Sequence, residues 1–255
     1  MRQNLKMRFC RIGCDFLKRF YIWFMNTSPI SFKGQRFPQE IILHAVYLKL
    51  RFSLSYRDIE ELLSMRNLLI DHSSIQRWVD KYSPLLSEQM KKRKKFVGDS
   101  WYWDETYIKV NGVWMYLHRA VDKEGNTIDF YLSKNRDKKA ALTFLRKAMG
   151  GNATPLKISI DKSGANISAL DHLNEEYTLE GKPPIEKRCS KYLNNRIEQD
   201  HRFIKKRVKP MLGFKSFDSA EHTISGIETI RMIQKNQLSD RKGMSNFEAI
   251  KSLAA

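Results

Sequence analysis

Three acids in this 255-residue chain, Asp104, Asp161 and Glu198, stand where carboxylates could hold divalent metal ions. Asp104 lies inside the run from Trp101 to Val110, whose aromatic and β-branched content predicts a strand. Strands disfavour Asp, so the misfit itself points to function. Asp161 closes a short apolar strand, Leu156 to Ile160, and in open α/β sheets sites gather beyond the strand ends. Glu198 falls in the first turns of a long predicted helix that Asn194 or Asn195 starts and Pro210 closes. Three carboxylates can hold two Mg²⁺ (or Mn²⁺) ions about 3.5–4 Å apart, which clamp the attacking and leaving oxygens of a phosphodiester. Such hard ions take oxygen ligands and keep some water. Each acid also has a purely structural reading. Asp104 could accept a hydrogen bond at a strand bend, Asp161 could cap the next helix, and Glu198 could pair with Arg202 one turn on. Glu105, Asp122 and Asp129 are weaker candidates; Glu105 falls on the opposite sheet face from Asp104.

The elements that would position these acids follow from pattern. Asn111-Gly112 is a two-residue hairpin signal between Trp101–Val110 and a return strand, Val113 to Val121. A turn at Gly125 leads to a third strand, Thr127 to Leu132. Helices are expected over Lys138–Met149, near Ile167–Tyr177, and over about Ser219–Gln237. Meandering strands, a helix, another strand and more helices make an α/β layer fold.

Ahead of this, residues 37–86 carry helical periodicity. Pro38 suits a first turn, Ser55 can cap a second helix, and Asp71 or Ser73 a third. Short helices in tight succession form a helix-turn-helix pattern, which leaves Ser73, Ser74, Gln76 and Arg77 near the start of the last helix to reach a DNA groove. A plain three-helix bundle fits the same pattern. The net charge is +18, of which residues 1–100 hold +10, and that excess favours a polyanionic partner.

The expected organisation is an N-terminal extension over 1–36 with Met25 as a natural start, a small all-α helix-turn-helix domain over 37–90 able to bind DNA alone, a basic linker over 91–99, an α/β catalytic domain over 100–237, and a tail over 238–255. No stretch reaches the roughly 18 apolar residues of a membrane-spanning helix. The three cysteines, Cys10, Cys14 and Cys189, form no zinc pattern and are read as reduced thiols, so a cytoplasmic, nucleoid-associated protein is expected.

Several stretches resemble the family-six transposases of bacterial insertion sequences. They are Trp103 to Val110, Tyr116 to Asp122, the segment KYLNNRIEQDHRFIKKRVKPMLGFKSF from Lys191 to Phe217, LSYRDIEELL from Leu54 to Leu63, and IQRWV from Ile75 to Val79. The resemblance covers roughly residues 37–235. It implies an RNase H-like mixed sheet flanked by helices, with an Asp-Asp-Glu triad that falls on Asp104, Asp161 and Glu198. It further implies metal-dependent cleavage and joining of double-stranded DNA at the inverted repeats of the element, inserted into target DNA by a homo-oligomer. Lys205 joins the candidate site because it lies seven residues beyond Glu198 on the same helix flank, with Arg202 between them as a DNA contact. Two other functions remain open: a DNA-binding protein that does not use the acids, and an RNase H-like nuclease that cuts without joining.

Overall fold

The computed structural model describes residues 29–161, 163–189 and 195–255. Met25, the residues before it with Cys10 and Cys14, and Leu193, expected on the buried stripe of the long helix, lie outside them. Three helices open the described chain: α1 (Gln39–Arg51), α2 (Tyr56–Ser64) and α3 (His72–Lys92). Strands β1 (Ser100–Val110), β2 (Val113–Asp122) and β3 (Thr127–Ser133) follow. Next come α4 (Lys138–Gly150), β4 (Lys157–Ile160), α5 (Gly164–Leu179), β5 (Glu186–Cys189), α6 (Asn195–Val208), α7 (Phe217–Gln234) and α8 (Asn246–Ala254).

The strands form one mixed sheet in the order β3-β2-β1-β4-β5. β1, β2 and β3 are antiparallel neighbours, and β4 runs parallel to both β1 and β5. Asn111 and Gly112 turn the β1–β2 hairpin with φ of 48° and 79°, the left-handed pair that such a two-residue turn needs. Side chains alternate between two cores. Trp101, Trp103, Ala120, Ile158 and Ile160 face α4 and α5, where Phe144 and Leu170 meet them. Ile108, Val110, Leu117, Phe130 and Leu132 face the other way, onto Ile204 of α6 and Ile224 and Ile227 of α7.

That second core does not stop at the sheet. It runs on through α7 into Ile42, Val46, Ile59, Ile75, Val79 and Leu86 of the first three helices and Ile250 and Leu253 of α8. α7 is buried almost all round, from Thr223 to Ile233, because it lies between the sheet and the N-terminal helices. Gly226 is where α7 and its neighbours come closest. A Cβ there would meet the Leu50 methyls at 2.6 Å and Ser83 Oγ at 2.8 Å.

The helix starts follow the local chemistry. Ser55 and Asp58 make a reciprocal capping box on α2, and Asp71 rather than Ser73 caps α3. Three expectations about boundaries need correction. Residues 29–36 are not a mere extension: Ile30 is buried, and Phe32 stacks on Tyr82 with ring centroids 4.5 Å apart. The basic run is not a free linker, because α3 continues through Lys92, Lys91 lies 3.3 Å from the buried Asp129, and Lys94 donates to the Ile128 carbonyl, while Lys92 and Lys95 stay exposed. The tail is the helix α8, opened by a capping box of Ser245 and Glu248, with Ala249, Ile250, Leu253 and Ala254 buried.

The shared core also counts against a self-standing DNA-binding fragment. Residues 29–92 alone would expose the faces that α7 and α8 cover. That fragment is expected to show no cooperative melting by circular dichroism, while the full chain melts in one transition. A cooperative transition in the fragment would show that the first three helices fold by themselves.

Candidate functional site

β1 and β4 set two of the three acids side by side. Their parallel register pairs Ser100 with Lys157, Trp101 with Ile158 and Tyr102 with Ser159. Carried two residues on, the same offset puts Asp104 level with Asp161, just past the last residue of β4. Parallel neighbours at one level point to one side of a sheet. Asp104 leaves the sheet on the α6 side, in cross-strand register with Arg119. Its Oδ2 lies 3.3 Å from Nε2 of His201 on α6. Asp161 Oδ1 accepts from the Ser163 amide at 3.1 Å and lies 3.5 Å from Asn166 Nδ2. Its Oδ2 has Arg136 at 3.8 Å. Asp161 does not cap the next helix, whose N-cap is Ser163; it accepts from the Ser163 amide in the turn before it, which occupies one oxygen.

Glu198 is exposed in the first turn of α6. It sits three residues before His201, so the two side chains lie about 5–6 Å apart at Cβ on adjoining turns. The helix that touches Asp104 through His201 thus carries Glu198 beside it. No ion pair joins Glu198 to Arg202 among the described residues. Glu198, Arg202 and Lys205 line one exposed strip of α6, while Ile197, Ile204 and Val208 are buried as expected. Arg207 is buried, with its guanidinium 5.0 Å from the Phe203 ring centroid.

The three acids do not close to within 4.8 Å of one another, the spacing of ligands on one ion. Among the described residues only Glu60, Asp71 and His72 do so. Those three tie the α2–α3 turn together: Asp71 caps α3, and His72 Nδ1 lies 3.0 Å from Glu60. The weaker candidates have structural roles. Asp122 is buried and accepts from the Gly98, Glu124 and Asn126 amides. Glu105 lies on the far face, 2.6 Å from Arg136. Burial raises the Glu105 carboxyl above its ordinary value, against the pull of Arg136. On the first turns of α3, Ser73, Gln76 and Arg77 are exposed and Ser74 is half-buried, with Arg77 donating to Ser74 Oγ at 2.9 Å.

Behind Asp104 lies a buried charge cluster. Arg119 is 1% exposed. Its Nε lies 2.6 Å from Glu228 of α7, and an Nη donates to Asp200 of α6 at 2.6 Å. Arg231 and Lys235 approach Asp200 at 2.8 and 2.9 Å. Burial alone would raise the Asp200 carboxyl, but Arg119, Lys235 and Arg231 hold it far below its ordinary value. Burial pulls the His201 imidazole down; Asp104 opposes that shift and Arg119 adds to it.

Comparison with known proteins places the chain. Residues 98–237 match a family described as "DDE domain". The chain is 40% identical over 205 residues to the transposase for insertion sequence-like element IS431mec of Staphylococcus aureus, covering 80% of this chain and 88% of that protein. Identity and coverage are the same for the transposase of insertion sequence element IS257 in transposon Tn4003, also from Staphylococcus aureus. The chain belongs to the DDE transposases of bacterial insertion sequences. The catalytic core domain of HTLV-2 integrase, solved with magnesium in a dimeric form, also aligns with this transposase, at 19% identity and a TM-score of 0.42 over 62% of this chain and 99% of that one. No helix among the described residues is long and apolar enough to cross a membrane.

Sequence reasoning did not place His201, Arg119, Asp200 and Arg136 beside the candidate acids. The one local signal for His201 was its place three residues after Glu198. Replacing Glu228 by Ala leaves the Arg119 charge buried without its main partner, and is expected to cost about 3–5 kcal/mol. Denaturant unfolding measures this; a cost under about 1 kcal/mol would show that the cluster is solvated in solution.

Proposed function

We propose that this transposase binds the inverted-repeat ends of its own element and cuts and joins double-stranded DNA at Asp104, Asp161 and Glu198. The observation that carries this reading is that Asp104 on β1 and Asp161, the residue after its parallel neighbour β4, lie at one end of the sheet, with His201 of the helix that carries Glu198 3.3 Å from Asp104. The donor set fits a hard divalent cation. It consists of carboxylates, Glu198 is exposed, and Asp161 Oδ2 has only a distant arginine at 3.8 Å. Two Mg²⁺ or Mn²⁺ ions held there would stabilise charge on the scissile phosphate and favour the hydroxyl that attacks it.

The chain's own residues do the rest. The strip Glu198–Arg202–Lys205 lays two cations along the wall of the site, where DNA phosphates would run. Lys206 is a different case. It is exposed, but its carbonyl accepts from Ser53 Oγ at 3.0 Å, and its side chain leaves α6 about 100° further round. Ser73, Gln76 and Arg77 present polar groups on the first turns of α3 for end DNA, with Ser74 holding Arg77. The protein would act in the bacterial cytoplasm on nucleoid DNA, as a homo-oligomer that holds both element ends.

Purified protein, Mg²⁺ and a fragment with the element's ends test the triad. Asp161→Asn is expected to abolish cleavage and joining while end binding persists; full activity in that variant overturns the assignment. Lys205→Ala should slow strand transfer at least about tenfold, roughly 1.4 kcal/mol of barrier, with melting unchanged. Lys206→Ala should do much less, and equal losses would mean that Lys205 adds only diffuse charge. Arg77→Ala is expected to lower affinity for end DNA more than for random DNA in a binding titration. An equal loss on both would make Arg77 a phosphate contact alone.

A further inference from the structure

We propose that His201 is a positioning residue for Asp104: its imidazole, held by Arg119 with the proton on Nε2, donates to Asp104 Oδ2 and turns Oδ1 of that carboxylate toward a divalent cation. The inference rests on the metal-binding reading of Asp104 given above.

The tautomer follows from the partner on the other side of the ring. Arg119 Nη1 lies 3.4 Å from His201 Nδ1. A guanidinium has donors and no acceptor, so Nδ1 must present its lone pair, and the proton of the neutral ring sits on Nε2. Arg119 has no freedom to offer anything else. Glu228 takes its Nε at 2.6 Å and one Nη at 3.1 Å, and Asp200 takes that same Nη at 2.6 Å. Asp200 is the residue before His201, so one guanidinium fixes both the seat of α6 and the protonation of the ring it carries.

Nε2 then needs an acceptor. It is buried, and no well-aligned hydrogen bond serves it among the described residues; the near acceptor is Asp104 Oδ2 at 3.3 Å. Polar contacts of this kind are often loose in a free site and tighten when it is filled. The same tautomer removes the Nε2 lone pair, so His201 is not itself a ligand. It acts through Asp104, as outer partners that orient metal-binding groups do.

The test uses the full chain with Mn²⁺ as the probe in titration calorimetry. His201→Leu is expected to weaken Mn²⁺ binding about 10- to 100-fold. His201→Gln, whose amide can still donate near the Nε2 position, should recover most of that loss, with both variants melting alike without metal. Nitrogen-15 NMR of the wild-type protein should show His201 as the neutral Nε2–H form, a readout that does not depend on either variant folding. Unchanged Mn²⁺ affinity in His201→Leu, no gain in His201→Gln over it, or an Nδ1–H ring would each overturn the proposal. Asp104→Asn separates the two readings. If it loses Mn²⁺ while His201→Leu does not, the positioning role alone fails; if it binds like wild type, the metal reading fails and this inference with it.

Discussion

A guanidinium buried to 1% exposure sits at the middle of this protein, and the site is arranged around its counter-charges. Arg119 belongs to β2, Asp200 and His201 to α6, and Glu228 to α7. Taking one such ion out of water costs several kcal/mol after relaxation, which only good geometry and full hydrogen bonding offset. The cluster is therefore a weak source of net stability; what it does is specify. α6 has few apolar anchors, with Ile197, Ile204 and Val208 on its buried side. The ion pairs from Asp200 to Arg119 and Arg231 resist its rotation, which keeps Glu198, Arg202 and Lys205 together on the exposed side.

The same demand for a covered α7 explains why the N-terminal helices are not a separate module. α7 contributes Glu228 to the cluster and turns its other sides to α3 and α1. Gly226 lets Leu50 and Ser83 approach where any side chain would intrude. The exposed first turns of α3 are thus built on the same continuous core that seats α6. Ser73, Gln76 and Arg77 on α3 and the acids therefore stand on one shared apolar core.

Much of this was legible in the sequence. The Asn111-Gly112 hairpin, the Ser55 cap, the strand holding Asp104 and the helix holding Glu198 all rest on local signals, and local signals survive folding. What escaped has a physical reason in each case. β5, Glu186-Lys187-Arg188-Cys189, is an exposed edge strand with no apolar alternation. The run Lys91 to Lys95 reads as solvated because charge does not announce its partner, here Asp129 on β3. α8 falls where the sequence analysis expects a tail, although Ser245 and Glu248 carry a capping box. The contacts of Arg119 join residues 81, 82 and 109 positions apart in the chain, and no periodicity encodes such pairings. Asp104, Asp161 and Glu198 are candidates by placement and resemblance, while the groups packed around Asp104 carry no comparable local signal.

The most direct measurement of the central claim is anomalous scattering from crystals of the protein soaked in Mn²⁺ with a DNA end bound. The account predicts Mn²⁺ peaks between Asp104, Asp161 and Glu198. Peaks confined to the Glu60–Asp71–His72 group, with none at the triad, would contradict it.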